Sequence, residues 1–176
     1  MRKQVIGIFA LMFMLGAVAG AQQDKSKRPS PPGTAEVTLK GKKITIDYSR
    51  PFMKGRKIMG ELVPYGKVWR TGANEATTLT TEANLNIGGT NVPAGTYTLF
   101  TLPSDGTWKL IINRQTGQSG LDYDEKQDLA RVDMKKSQTK EPVEQFTISF
   151  DAKGNDTADL VLEWENSRLT VPVKAQ

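Results

Sequence analysis

Apolar and polar residues alternate with a period of two over most of the chain beyond Ala35, the pattern of strands with one buried and one wetted face. Ile44, Ile46 and Tyr48 alternate with Thr45 and Asp47, and Trp108, Leu110 and Ile112 alternate with Lys109, Ile111 and Asn113. Phe146, Ile148 and Phe150 repeat the pattern, as do Leu160, Leu162 and Trp164, and then Leu169, Val171 and Val173. Glu165-Asn166-Ser167 separates the last two sets, so the C-terminus reads as a hairpin. Gly88-Gly89 lies between Leu85-Asn86-Ile87 and Thr90-Asn91-Val92, where two glycines supply the positive φ angles of a tight hairpin. Between Thr96 and Leu102 both parities are apolar, which marks a central or bulged strand. Tyr123 to Val132 winds and alternates about equally and is read as strand. The sum is an all-β domain, an antiparallel β-sandwich, jelly-roll-like or an open barrel, of about nine or ten short strands with little helix.

The segment before these strands sets the compartment. Arg2 and Lys3 precede an apolar run from Val5 to Val18, and Ala19-Gly20-Ala21 offers small residues to a peptidase. This is the pattern of a cleaved signal peptide over 1–21, too short to span a bilayer, which takes ~20 apolar residues. The chain is therefore expected to be exported, periplasmic or extracellular, with no transmembrane segment after cleavage. Residues 22–34, QQDKSKRPSPPGT, hold no large apolar side chain and are expected to form a disordered Pro/Ser-rich tether. Residues 35–176 then make a single domain.

Charge and composition remove several functions. Loss of Arg2 and Lys3 lowers the formal net charge of +5 by two, far from the dense basic stripe of a nucleic-acid-binding protein. The chain has no His and no Cys, which excludes a Ser-His-Asp triad, a Cys nucleophile, thiolate or imidazole metal sites and any disulfide. Ser137-Gln138-Thr139-Lys140 matches S-x-x-K, and Arg70-Thr71-Gly72 loosely matches K-T-G, but their order and context do not suit a penicillin-recognising enzyme. Asp122, Asp124, Glu125 and Asp128, and again Asp151, Asn155, Asp156 and Asp159, lack EF-hand spacing and read as turns. Nucleotide-binding glycine loops are missing. No metal and no cofactor is assigned.

The exception to regular patterning is Tyr48 to Thr77. Between Arg50 and Arg70, the cations Arg50, Lys54, Arg56, Lys57, Lys67 and Arg70 stand against one carboxylate, Glu61, interleaved with Tyr48, Phe52, Tyr65 and Trp69. Guanidinium forks beside aromatic faces suit a carboxylate, a phosphate or a sulfated sugar. The candidate ligand-binding residues are Tyr48, Arg50, Lys54, Arg56, Tyr65, Lys67, Trp69, Arg70, Asn74 and Glu75, and the expected function is a non-catalytic binding module for an anionic small molecule or glycan. Against this stands a structural reading, in which Arg50 and Arg70 pair with Glu61 and Glu75 while the aromatics cap the sandwich. No catalytic residue is assigned. A carboxylate-dependent glycan hydrolase using Glu75 with Glu61 or Asp47 is the alternative, and a structural interaction domain of the cell envelope is a third reading.

Tyr48-Ser49-Arg50-Pro51, Lys54-Gly55-Arg56 and the run from Gly60 through Trp69-Arg70-Thr71-Gly72-Ala73-Asn74-Glu75 to Thr77 resemble the signature of a bacterial family of exported proteins, domain of unknown function 2911. Pro93-Ala94-Gly95-Thr96-Tyr97 and Leu162-Glu163-Trp164-Glu165-Asn166 extend the resemblance over nearly all of the mature chain. It implies an exported β-domain and brings no activity, ligand or catalytic residue with it.

Overall fold

The computed structural model describes residues 24–176, so the expected signal peptide and the first two tether residues lie outside it. Nine strands follow one another: β1 (Pro32–Leu39), β2 (Lys42–Ser49), β3 (Thr77–Thr81), β4 (Leu85–Ile87), β5 (Thr90–Val92), β6 (Gly95–Leu102), β7 (Trp108–Asn113), β8 (Asp128–Ala152) and β9 (Thr157–Ala175). They form one antiparallel sheet in the order β1-β2-β3-β6-β7-β8-β9-β4-β5. The all-β class expected from the alternation is the class observed. The only helical pieces among the described residues are short 3-10 turns at Lys25–Lys27 and Glu125–Gln127.

The inward face follows the parity read from the sequence. Ile46, Leu79 and Tyr97 stand opposite one another across β2, β3 and β6, while Leu110 faces Val132, Trp108 faces Met134 and Ile148 faces Leu162. These residues belong to a single buried core that also receives Leu85, Ile87 and Val92 from the β4–β5 hairpin. That hairpin turns on Gly88 and Gly89, at φ 56° and 91°, the left-handed pair that a two-residue connection demands.

The C-terminal hairpin expected at 165–167 is not formed. β9 runs unbroken through it, with Glu165 at φ 54°. Buried positions are even before this residue (Leu160, Leu162, Trp164) and odd after it (Leu169, Val171, Val173). A bulge shifts the parity of a strand as a turn would, so the alternation pattern does not separate the two. β8 is continuous as well, and carries excess residues between Gln138 and Thr147, where the register against β9 shifts. It begins at Asp128 rather than Tyr123, because Asp124 caps the 3-10 turn by accepting from Lys126 N–H. At the other end β1 starts at Pro32, inside the stretch expected as tether, where Pro32 and Thr34 pair with Ser49 and Asp47.

The curled sheet is closed by a seam. Tyr48 Oη accepts from Ile148 N–H at 2.8 Å and donates to Ile148 C=O at 3.2 Å. Arg50 donates to Phe146 C=O and to Thr147 Oγ1, Phe146 N–H donates to Pro51 C=O, and Met53 N–H donates to Glu144 C=O. The residues leaving β2 thus occupy the edge of β8 between Glu144 and Ile148, past the point where β7 stops pairing at Met134, satisfying backbone groups that burial would otherwise leave orphaned.

β6 is apolar on both faces because it is central and doubly covered. Its outward Phe100 and the facing Ile111 of β7 are buried beneath residues 114–127, and Tyr123 packs edge-on against Phe100 at 4.9 Å between ring centres. No described helix is long and apolar enough to cross a membrane.

Candidate functional site

The basic-aromatic loop folds over one end of the sheet, and carboxylates of the long strands hold it by its backbone. Glu165 accepts from Ile58 and Met59 N–H, and Glu144 Oε1 accepts from Lys54 N–H. Anchoring through the main chain leaves the loop's cationic side chains without carboxylate partners of that origin. Arg50 is spent on β8. Arg56 donates to the carbonyls of Phe52 and Met53. Lys54 and Lys67 are exposed, and Lys136 lies over the ring of Tyr65, 5.9 Å from its centre. Asn74 donates to Ser30 C=O and Ser49 Oγ.

Arg70 differs from these. It is half-buried, yet it makes no hydrogen bond or ion pair among the described residues. The two carboxylates expected to neutralise it are engaged elsewhere: Glu61 lies 3.6 Å from Lys57 on the surface, and Glu75 accepts from Arg28 at 2.7 Å and sits 3.2 Å from Lys25. The Arg28 contact, reinforced by a backbone hydrogen bond, holds the Glu75 carboxyl down at about 2.

Arg70 lines a cleft of about 370 Å³. One wall is Trp69, stacked on Trp164 at 5.8 Å with 19° between the rings and edge-on to Phe146 at 5.0 Å. The other is the loop after β7, which contributes Gly120, Leu121 and Tyr123, and Phe100 also reaches the cleft. Arg56 and Leu62 stand at its margin. Of the three large apolar side chains exposed among the described residues, Leu62 (45 % exposed) and Leu121 (76 %) both flank this cleft; the third is Tyr65.

Local chemistry fixes both walls. Tyr123 donates to Asp128 at 2.7 Å and accepts from Arg131 at 2.6 Å, while Asp128 also accepts from Asn113 and Arg131. Burial and the adjacent Asp128 carboxylate push the Tyr123 hydroxyl up to about 12, so it stays protonated. Behind Arg70 the backbone is strained: Thr71 and Asn74 have φ of 54° and 56°, in the left-handed region that costs a β-branched residue most. Thr71 is held there by donating from Oγ1 to Thr101 Oγ1 and by accepting from Thr77 Oγ1 at its carbonyl. Gly120 allows the loops to meet, since a Cβ there would stand 3.0 Å from Arg70 Cδ and from Asn74 O.

A smaller cleft of about 210 Å³ holds Tyr48, Asp47 and Glu75 beside Lys25 and Arg28 of the N-terminal segment. Asp47 accepts from Thr34 at 2.6 Å. A glycosidase acid must keep its proton near neutral pH, and a Glu75 carboxyl held at about 2 is ionised there.

Of the ten residues expected to bind ligand, the structure brings Arg56, Trp69 and Arg70 to the larger cleft and Tyr48 and Glu75 to the smaller one. Arg50, Lys54, Tyr65, Lys67 and Asn74 line neither. Sequence reading missed Phe100, Gly120, Leu121, Tyr123 and Trp164. A signal existed only for Leu121, an isolated leucine among turn-forming residues.

The family model described as protein of unknown function (DUF2911) matches residues 30–173. The chain belongs to that family. The matched span takes in both clefts apart from the residues before Ser30, so the Arg70 site lies inside the DUF2911 domain. No curated protein and no solved structure matches the chain.

Proposed function

We propose that this DUF2911 protein is an exported, non-catalytic binding module whose ligand places an anionic group on Arg70 and a flat or apolar face against Trp69. One observation carries the reading: a half-buried guanidinium without a partner among the described residues lines a cleft walled by aromatic rings. Buried or half-buried charge is costly unless paired, and a ligand carboxylate or phosphate would supply the pair in bidentate geometry. The cleft volume is at the low end of the range for small-molecule sites, which favours a small ligand over a polymer.

A thermal-shift panel of phosphate, sulfated and uronic sugars and simple carboxylates tests the reading. A ligand at about 100 times its dissociation constant adds ~2.7 kcal/mol of stability, or roughly 5–10 °C for a domain of this size. The expected result is a shift with at least one anion that disappears in Arg70→Ala. If no anion shifts the melt, or Arg70→Ala shifts as wild type does, the proposal fails.

A further inference from the structure

Resting on the anion-binding reading of the same cleft, we infer that its ligand is a small monocarboxylate with an apolar body rather than a sugar. The cleft's side chains decide this. A sugar ring presents hydroxyls in every direction, and sites that hold one offer several side-chain donors and acceptors; buried hydroxyls left without partners are strongly disfavoured. No Asp, Glu, Asn, Gln or Thr side chain lines this cleft. The polar groups that do are largely committed: the Tyr123 hydroxyl to Asp128 and Arg131, the Trp164 indole N–H to Glu144 C=O, and two donors of Arg56 to Phe52 and Met53 C=O. What remains is one uncommitted guanidinium, Arg70, with the single free hydroxyl of Ser30, amid Leu62, Val68, Trp69, Phe100 and Leu121.

That arrangement is asymmetric in the way an amphipathic monoanion is. The planar fork of Arg70 matches a carboxylate in two parallel hydrogen bonds, and no carboxylate side chain in the cleft repels it. Leu121 follows Gly120, which abuts the Arg70 stem, so the most exposed large apolar side chain among the described residues stands beside the charged end. A bound apolar tail would cover it together with Leu62 and remove both from water. The volume of about 370 Å³ matches a body of a single ring or a short chain.

The test is titration of the purified protein with phenylacetate and hexanoate, followed by tryptophan fluorescence and calorimetry, with phenylacetamide, hexanol and glucuronate as comparisons. Both carboxylates are expected to bind, with affinity at least about tenfold lower for the uncharged analogues and for Arg70→Gln. Leu121→Ser, a change at an exposed position, is expected to weaken both carboxylates while leaving the melting temperature unchanged. Glucuronate binding as tightly as phenylacetate, in an Arg70-dependent manner, overturns the apolar-body inference and leaves the anion site standing. Hexanol binding as tightly as hexanoate, or no binding by any of the acids, overturns both.

Discussion

Tyr48→Phe separates the structural part of the basic-aromatic run from the part that faces the cleft. The substitution removes one oxygen from a side chain that is 7 % exposed and leaves the ring, packed edge-on to Phe146 at 5.8 Å, in place. Two partners are lost, the Ile148 N–H at 2.8 Å and the Ile148 C=O at 3.2 Å. Each lies on the β8 edge past Met134, where β7 no longer pairs with it. A buried polar group deprived of its partner costs about 1–3 kcal/mol. The carbonyl bond is long, so the N–H carries most of the loss, and the total comes to about 2–4 kcal/mol. At about 2–4 °C per kcal/mol for a domain of this size, the melting temperature falls by roughly 5–15 °C. Urea unfolding followed by tryptophan fluorescence measures the free energy directly, and an unchanged m-value would assign the change to stability. Tyr97→Phe is the control: it loses one bond, to Pro93 C=O at 2.9 Å, and is expected to cost about 1 kcal/mol. Ligand affinity should survive Tyr48→Phe, because Tyr48 does not line the larger cleft. A cost within about 0.5 kcal/mol of zero would refute the seam, since that is the range of substitutions that touch nothing.

Arg70→Ala should show the converse, loss of anion binding with stability within about 0.5 kcal/mol of wild type, read from the same two assays. Gly120→Ala places a Cβ 3.0 Å from Arg70 Cδ and from Asn74 O, so it should weaken ligand binding and cost about 1–3 kcal/mol by overpacking, checked by titration and urea midpoint. Gly72→Ala puts a Cβ 3.0 Å from Ser49 O and Thr77 Oγ1 at φ 154°, and is expected to destabilise by about 1–3 kcal/mol in the same denaturation assay. Glu75 is depressed by its contact with Arg28, so its stabilising contribution is present above the ordinary value of 4.5 and lost as pH falls towards about 2. The side chain is 54 % exposed, and screening keeps that contribution below about 1 kcal/mol. The urea midpoints of wild type and Glu75→Gln should differ slightly at pH 6 and converge by pH 2; a difference that grows on acidification would contradict the pairing.

Much of the fold was legible because side-chain parity in a strand is local. Ile44, Ile46 and Tyr48, or Trp108, Leu110 and Ile112, show their buried face within a few residues, and Gly88-Gly89 shows its turn by composition alone. Bulges were not legible. Across 165–167 parity flips, and a flip is equally the mark of a turn or of one left-handed residue within a continuous strand; the pairing of Val143 with Glu165 decides for the strand. The same limit applies to the loop arginines. Arg50, Arg56 and Arg70 have similar neighbours in sequence, yet one clasps β8, one caps nearby carbonyls and one is left to the cleft. Their partners, where they have any, are set by which segments curl together.

Taken by itself, the sequence determined the all-β class, the inward-facing residues of most strands and the concentration of positive charge between Arg50 and Arg70, since all three follow from residue type and spacing along the chain. The tertiary structure alone decided which charge went unpaired and what faced it. Trp69 and Arg70 meet Phe100, Gly120, Leu121, Tyr123 and Trp164 only because β6 lies between β3 and β7 and the loop after β7 folds back across it. Such contacts join residues tens of positions apart, and no local pattern encodes them, because their energy comes from closing the sheet rather than from any one segment.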